Sequence, residues 1–322
     1  MTAPGDIATT TAAAAPAPTA AGSLAAVPRL LRGDPAVGTL LGAADATVAV
    51  PESAQAVIVA ALAAFSERTL LVVTATGLDA ERLGDDLACL LARAEEGAPG
   101  PVAGALSGAV TVLPAWETLP FERVSPETET MGRRLAALHA LTAPGGDGVA
   151  LPPPPRVIVA PVRALLQRLA PLDANTPIVV GRGDQVDLDA LLHGLVDKGY
   201  RREHQVEYRG EFAVRGGIVD VFPSTSDVPV RIDLWGDEVD RLTSFAVSDQ
   251  RSSYDLASVV LYGCRELVPT AEVRAAAERL VARRPWGVSV WERLARGDQF
   301  DGMESWLPFL EPDERVLPDL LP

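Results

Sequence analysis

The chain has 322 residues, 48% of them hydrophobic, and carries 43 acidic against 28 basic side chains for a net charge of −15. That length and apolar content suffice for two domains with cores of their own and exclude wholesale disorder. The acidic balance excludes a surface that wraps a nucleic-acid backbone, because counterion release needs many clustered cations.

Residues 1–26 are rich in Ala, Thr and Pro, are broken by Pro4, Pro16 and Pro18, and lack a basic start. They read as a disordered tail and not as a signal peptide. From 47 to 169, short β-branched runs alternate with helical ones: strands are expected over 47–50, 69–74, 110–113 and 157–160, and helices over 53–65, 79–93, 127–141 and 162–169. This βα rhythm with near-continuous apolar strands predicts an α/β unit, a parallel sheet covered by helices on both faces, over 27–172. The Pro- and Gly-rich run 143–155 is an insertion within that unit, since the rhythm resumes after it.

Over 173–250 the period changes. A strand at 178–180 and a helix at 188–198 lead to strands near 202–209, 211–215, 218–222, 228–235 and 238–247, joined by short Gly- and Pro-marked turns. Such connections predict an antiparallel meander in a smaller α+β domain. The remainder, 251–322, offers a strand near 258–262, a helix over 271–283 and an apolar segment at 306–310. It reads as too thin for an independent core and is expected to return to the α/β unit, which makes the second domain an insertion. The last residues resemble no finished element, so the sequence reads as part of a longer protein.

Catalytic chemistry is thin. A phosphate loop would follow the first strand, yet residues 48–56 hold neither glycine nor lysine, and Lys198 is the only lysine in the chain. ATP hydrolysis by this segment is therefore not expected, and no cofactor or metal is assigned to it. His139, His193 and His204 are the only histidines and fall on three different elements, which suits structural roles better than a base or a ligand set. Cys89 and Cys264 match neither a disulfide framework nor zinc spacing and read as buried hydrophobes of a reducing cytoplasm.

Recognition chemistry is better represented. The loop 113–126 follows a strand and precedes a helix, so it should overlie the carboxyl edge of the sheet. Its Trp116, Leu119 and Phe121 either plug an apolar gap or belong to a former ligand loop. In the second domain, alternation along 212–215 buries Phe212 and Val214 and displays Arg215, and an antiparallel neighbour would bring Arg201 or Arg202 close to it. Arginines so placed suit bidentate recognition of carboxylates on a partner protein. The alternative is internal pairing with Glu203, Glu211 or Asp220.

Several dense motifs occur in order: LPAWETLP from Leu113, Ser125-Pro126, GRRL from Gly132, GEFAVRGGIVDVFP from Gly210, RIDLWGDE from Arg231 and DQR from Asp249. Together they resemble the amino-terminal region of the bacterial transcription-repair coupling factor family, Mfd. The resemblance implies a degenerate helicase-like α/β domain similar to the excision-repair helicase UvrB, interrupted by a smaller domain that binds UvrA. It further implies a parent in which later domains bind RNA polymerase, translocate on DNA with ATP and Mg, and mask the UvrA site. By the same resemblance two of the three UvrA-facing arginines of UvrB fall on Arg202 and Arg215. The third position is Ala213, which leaves Arg201 or Phe222 to supply the remaining contact. A fragment of a UvrB-like ATP-dependent DNA helicase is the alternative.

Overall fold

In a computed structural model, residues 24–92, 102–103, 108–142, 154–170, 176–310 and 315–321 are described, with the backbone alone at 102–103. The expected tail up to residue 23 and the insertion from 143 to 153 lie outside them. In chain order the α/β unit contributes α1 (Val27–Leu30), α2 (Pro35–Gly42), α3 (Glu52–Phe65), β1 (Leu70–Thr74), α4 (Gly77–Leu91), β2 (Val102–Ala103), β3 (Val110–Val112), α5 (Thr128–Thr142), β4 (Val157–Pro161) and α6 (Val162–Leu166). Next come β5 (Ile178–Gly181), α7 (Leu188–Asp197), β6 (Arg201–Arg202), β7 (Glu211–Arg215), β8 (Ile218–Val221), β9 (Val230–Trp235), β10 (Glu238–Phe245), β11 (Ser252–Asp255) and β12 (Ser258–Leu261). Three helices close the chain: α8 (Ala271–Arg283), α9 (Val288–Arg296) and α10 (Leu307–Leu310).

A parallel sheet of order β1-β4-β3 forms the first layer, with Val157 opposite both Leu70 and Val110. Central β4 is buried along its whole length, which is why its sequence is continuously apolar instead of alternating. Helix α4 starts at Thr76, whose hydroxyl accepts the Asp79 N–H, and it buries Ala80, Gly84, Leu87 and Leu90 at helical spacing against the sheet. The strand expected at 47–50 is not formed. Among the described residues they have no pairing partner, and Val48 is exposed, so the run of β-branched residues ends as an extended lead into α3.

The second sheet is mixed, in the order β11-β10-β9-β8-β7-β6. Strands β7 to β10 form the expected antiparallel meander, β11 adds an unexpected antiparallel edge beside β10, and β6 pairs parallel to β7. The sheet extends through β11 at Ser252–Asp255. One face carries Phe212, Val219, Val221, Val230, Ile232, Val239 and Leu242, packed against Leu191 and Leu195 of α7. A small third sheet, β2-β12-β5, stitches the units together.

Helix α5 is common to both units. Ala137 packs with Ile158 and Ala160 of the parallel sheet, while Ala136 packs with Val260 and Tyr262. Gly132 permits the close approach, because a Cβ there would lie 2.4 Å from the Ser224 hydroxyl oxygen.

Residues after β12 hold a core of their own, contrary to the expectation from sequence. Val273 and Ala277 of α8, Trp291 and Leu294 of α9, and Met303, Leu307 and Leu310 form one buried cluster. Its buried residues are scattered over three helices and the turns between them, with Trp291 the one fully buried aromatic, so no single run in the sequence displays it. Near its end, Leu317 is buried among Leu113, Ala137, Ile158 and Ala164.

Candidate protein-docking face

Register divides the six-stranded sheet into an apolar and a polar face. Phe212, Val221 and Val230 lie in one cross-strand row, and Val214, Val219 and Ile232 in the next; both rows face α7. On the opposite face the rows are Ala213, Asp220, Arg231 and Thr243, then Arg215, Ile218, Asp233 and Arg241. The alternation that fills one core thus assembles ionic side chains from four strands on the outer surface.

The parallel pairing of β6 reassigns the arginines. Arg201 stands opposite Glu211 and Arg202 opposite Phe212, so Arg201 shares the outer face with Arg215, whereas Arg202 emerges from the edge on the other side. The antiparallel expectation fails because residues 203–210 fold back over the sheet instead of continuing as a strand. Both outer-face arginines are accessible, with side chains 70% exposed at Arg201 and 49% at Arg215. Their internal ion pairs are long, 3.4 Å from Arg201 to Glu211 and 3.9 Å from Arg215 to Asp220. Such exposed pairs contribute about 0–1 kcal/mol, leaving both guanidinium groups able to exchange partners. Arg202 is exposed and forms no ion pair among the described residues.

Phe222 does not belong to the exposed surface. It is only 7% exposed and packs with Val206, Ala213 and Phe245 beneath the folded-back loop, with the Arg209 guanidinium 5.5 Å above its ring. Glu211 seats that loop: its Oε2 accepts the backbone N–H groups of Glu207 and Tyr208, both at 2.9 Å. Arg215 Nη2 donates to the His204 carbonyl oxygen at 3.4 Å. Beneath the loop, Arg231 grips Asp220 with two parallel bonds of 2.7 and 2.9 Å, and burial pushes the neighbouring Asp233 carboxyl up from its ordinary value against the pull of Arg231. Sequence reasoning missed Arg231 and Gln250 as parts of this face, although both lie in motifs it singled out.

The other candidate positions are structural. In loop 113–126, Trp116 points inward and donates its indole N–H to Glu266, Leu119 is exposed, and Phe121 leans on Trp306 and Phe309 at φ +67°. The loop is clamped by Glu304, which accepts from the Ser125 hydroxyl at 2.6 Å and pairs with Arg265 at 2.9 Å. The three histidines remain apart, and among the described residues no group of three or more His, Cys, Asp or Glu is placed to hold a metal ion. Among the described residues no helix is long and apolar enough to cross a membrane.

The family profile of the UvrB interaction domain matches residues 178–267, which contain the whole six-stranded sheet. A transcription-repair-coupling factor from Mycobacterium tuberculosis is 42% identical over 290 residues, covering 86% of this chain and 22% of that protein. Proteins of the same name from Haemophilus influenzae and Escherichia coli are each 32% identical, over 66% and 62% of this chain. The chain spans between 17% and 22% of the length of these relatives. It is therefore homologous to a segment of the transcription-repair-coupling factors, with a UvrB interaction domain at residues 178–267.

Proposed function

We propose that the outer face of the six-stranded sheet docks UvrA, which makes this chain the UvrA-recruiting module of a transcription-repair coupling factor. One observation carries the reading: within the UvrB interaction domain, Arg201 and Arg215 are exposed on one face with only long internal ion pairs. Two guanidinium groups so placed can each present a planar fork to carboxylates of a partner. Arg202 emerges from the sheet edge on the other side and adds little to this contact. The α/β unit is a UvrB-like scaffold without nucleotide chemistry, and it holds the docking sheet through α5.

The wider reading concerns the parent. There, later domains bind RNA polymerase and DNA and use ATP and Mg, the protein works in the cytoplasm, and the parent's own carboxy-terminal domains mask the UvrA face until polymerase stalls. Equal UvrA affinity of this chain and of the intact parent would refute the masking.

Titration of UvrA into Arg201→Ala, Arg202→Ala and Arg215→Glu variants tests the docking face. Reversing a charge in a desolvated contact costs about 2–5 kcal/mol, roughly thirtyfold or more in affinity. Arg215→Glu should show that loss while melting close to the parent chain, and Arg201→Ala should lose more than Arg202→Ala. Full binding by a folded Arg215→Glu variant refutes the face.

A further inference from the structure

Gln250 lies in the turn between β10 and β11, and no role in docking follows from its exposure or charge. Three features set it apart. Its φ is +60°, in the left-handed region that glycine and asparagine enter far more readily. Its Oε1 is buried without a hydrogen-bond partner. Its Nε2 donates twice, to the Val247 carbonyl at 2.9 Å within its own turn and to the Val206 carbonyl at 3.3 Å in the folded-back loop. The opposite amide orientation would set Oε1 against both carbonyl oxygens, so the donors fix the assignment.

The turn is tied into the docking face from below. Arg231 donates to the Gln250 carbonyl at 3.2 Å while it grips Asp220 and lies over the Phe245 ring at 4.9 Å. Asp220 is also the carboxylate within 3.9 Å of Arg215. A path of contacts therefore runs from Arg215 through Asp220, Arg231 and Gln250 to Val206, two residues from the His204 carbonyl on which Arg215 rests. Turn closure alone would need only the backbone bonds from Gln250 N–H to Ala246 and from Ala246 N–H to Arg251. The side-chain bond to Val206 is additional, and its recipient is the segment that sets the orientation of Arg215.

We propose that Gln250 is a positioning residue for partner docking: its amide pins the 203–209 loop to the sheet, and the seated loop holds the Arg215 guanidinium in its docking orientation. The proposal rests on the UvrA-docking reading and assigns to it a residue that need not touch the partner.

The test uses the full chain with Gln250→Gly and Gln250→Glu. Glycine suits the turn and deletes the amide. Glutamate keeps the size and removes the donor, which protonation can restore. Gln250→Gly should melt near the parent chain, and both variants should bind UvrA about tenfold more weakly at pH 7.5 with faster solvent exchange at the amides of Glu207 and Tyr208. Relative to the parent chain at each pH, Gln250→Glu should regain affinity as the pH is lowered towards 5.5, a recovery that general loosening of the turn would not give. Parent-like affinity in both variants, beside an Arg215→Glu control that has lost binding, overturns the positioning role alone. Parent-like affinity in the Arg215→Glu control overturns the docking face itself and this inference with it.

Discussion

Replacing Glu266 by leucine should be among the most damaging single changes in the chain. Its carboxylate and the Arg134 guanidinium are both fully buried, with Nε and Oε1 2.6 Å apart. Arg134 further donates to the carbonyls of Pro114 at 2.9 Å and Arg168 at 3.2 Å, and the same Glu266 oxygen accepts the Trp116 indole at 2.5 Å. Burial pushes the Glu266 carboxyl up from its ordinary value, and Arg134 pulls it back. Leucine would leave the guanidinium hydrogen-bonded but without a counter-charge, at a cost of about 3–5 kcal/mol. At roughly 2–4 °C per kcal/mol for a chain of this order, melting should fall by about 10 °C.

Arg134→Met combined with Glu266→Leu separates charge from packing. Removing both ions leaves no isolated charge but takes a partner from the Trp116 indole and from the Pro114 and Arg168 carbonyls, so the double variant should cost about 1–3 kcal/mol, well below the sum of the singles. Thermal and urea melts of Glu266→Leu, Arg134→Met and the double variant complete the cycle. A fall below 2 °C in Glu266→Leu, or a double variant equal to the sum of the singles, would sink the argument that an uncompensated buried charge is the cost.

Two further outcomes are expected. Burial, and secondarily Lys198, lower the pKa of His139 below its ordinary 6.5, so the unfolded chain takes up the proton first; stability is full above about pH 6.5 and declines as the pH falls through the depressed value. His139→Leu should flatten that decline in melts between pH 7 and pH 5, and an unchanged slope would refute it. ATP with Mg should give no heat of binding with this chain, because residues 48–56 supply neither glycine nor lysine to hold phosphates; a micromolar dissociation constant would refute it.

Periodicity revealed what depends on neighbours in sequence and little of what depends on pairing across space. Helices α3, α4, α5, α7 and α8 fall within a few residues of their expected bounds, because their apolar spacing and caps such as Thr76 and Asp187 are local. The run at 47–50 has strand composition but no partner, and composition cannot supply one. The carboxy-terminal core escaped because its members are spread thinly over residues 267–310 and meet only through tertiary packing, with Trp306 and Phe309 also reaching Phe121 of a distant loop.

The docking face shows the same division more sharply. Odd and even positions along β7 were legible, so Arg215 was placed outward from sequence alone. Arg201 and Arg202 are adjacent, and which of them shares that side depends entirely on the direction and register of a two-residue strand. That register is set by the bonds from Arg201 N–H to Gly210 and from Glu203 N–H to Phe212, and those bonds require the intervening loop to fold back. The fold-back is held by Val206 in its pocket, by Glu211 on two amides and by Gln250 on a carbonyl. A residue near 250 thus helps hold the loop whose path sets which face of the sheet an arginine near 201 joins, a dependence that no local pattern encodes.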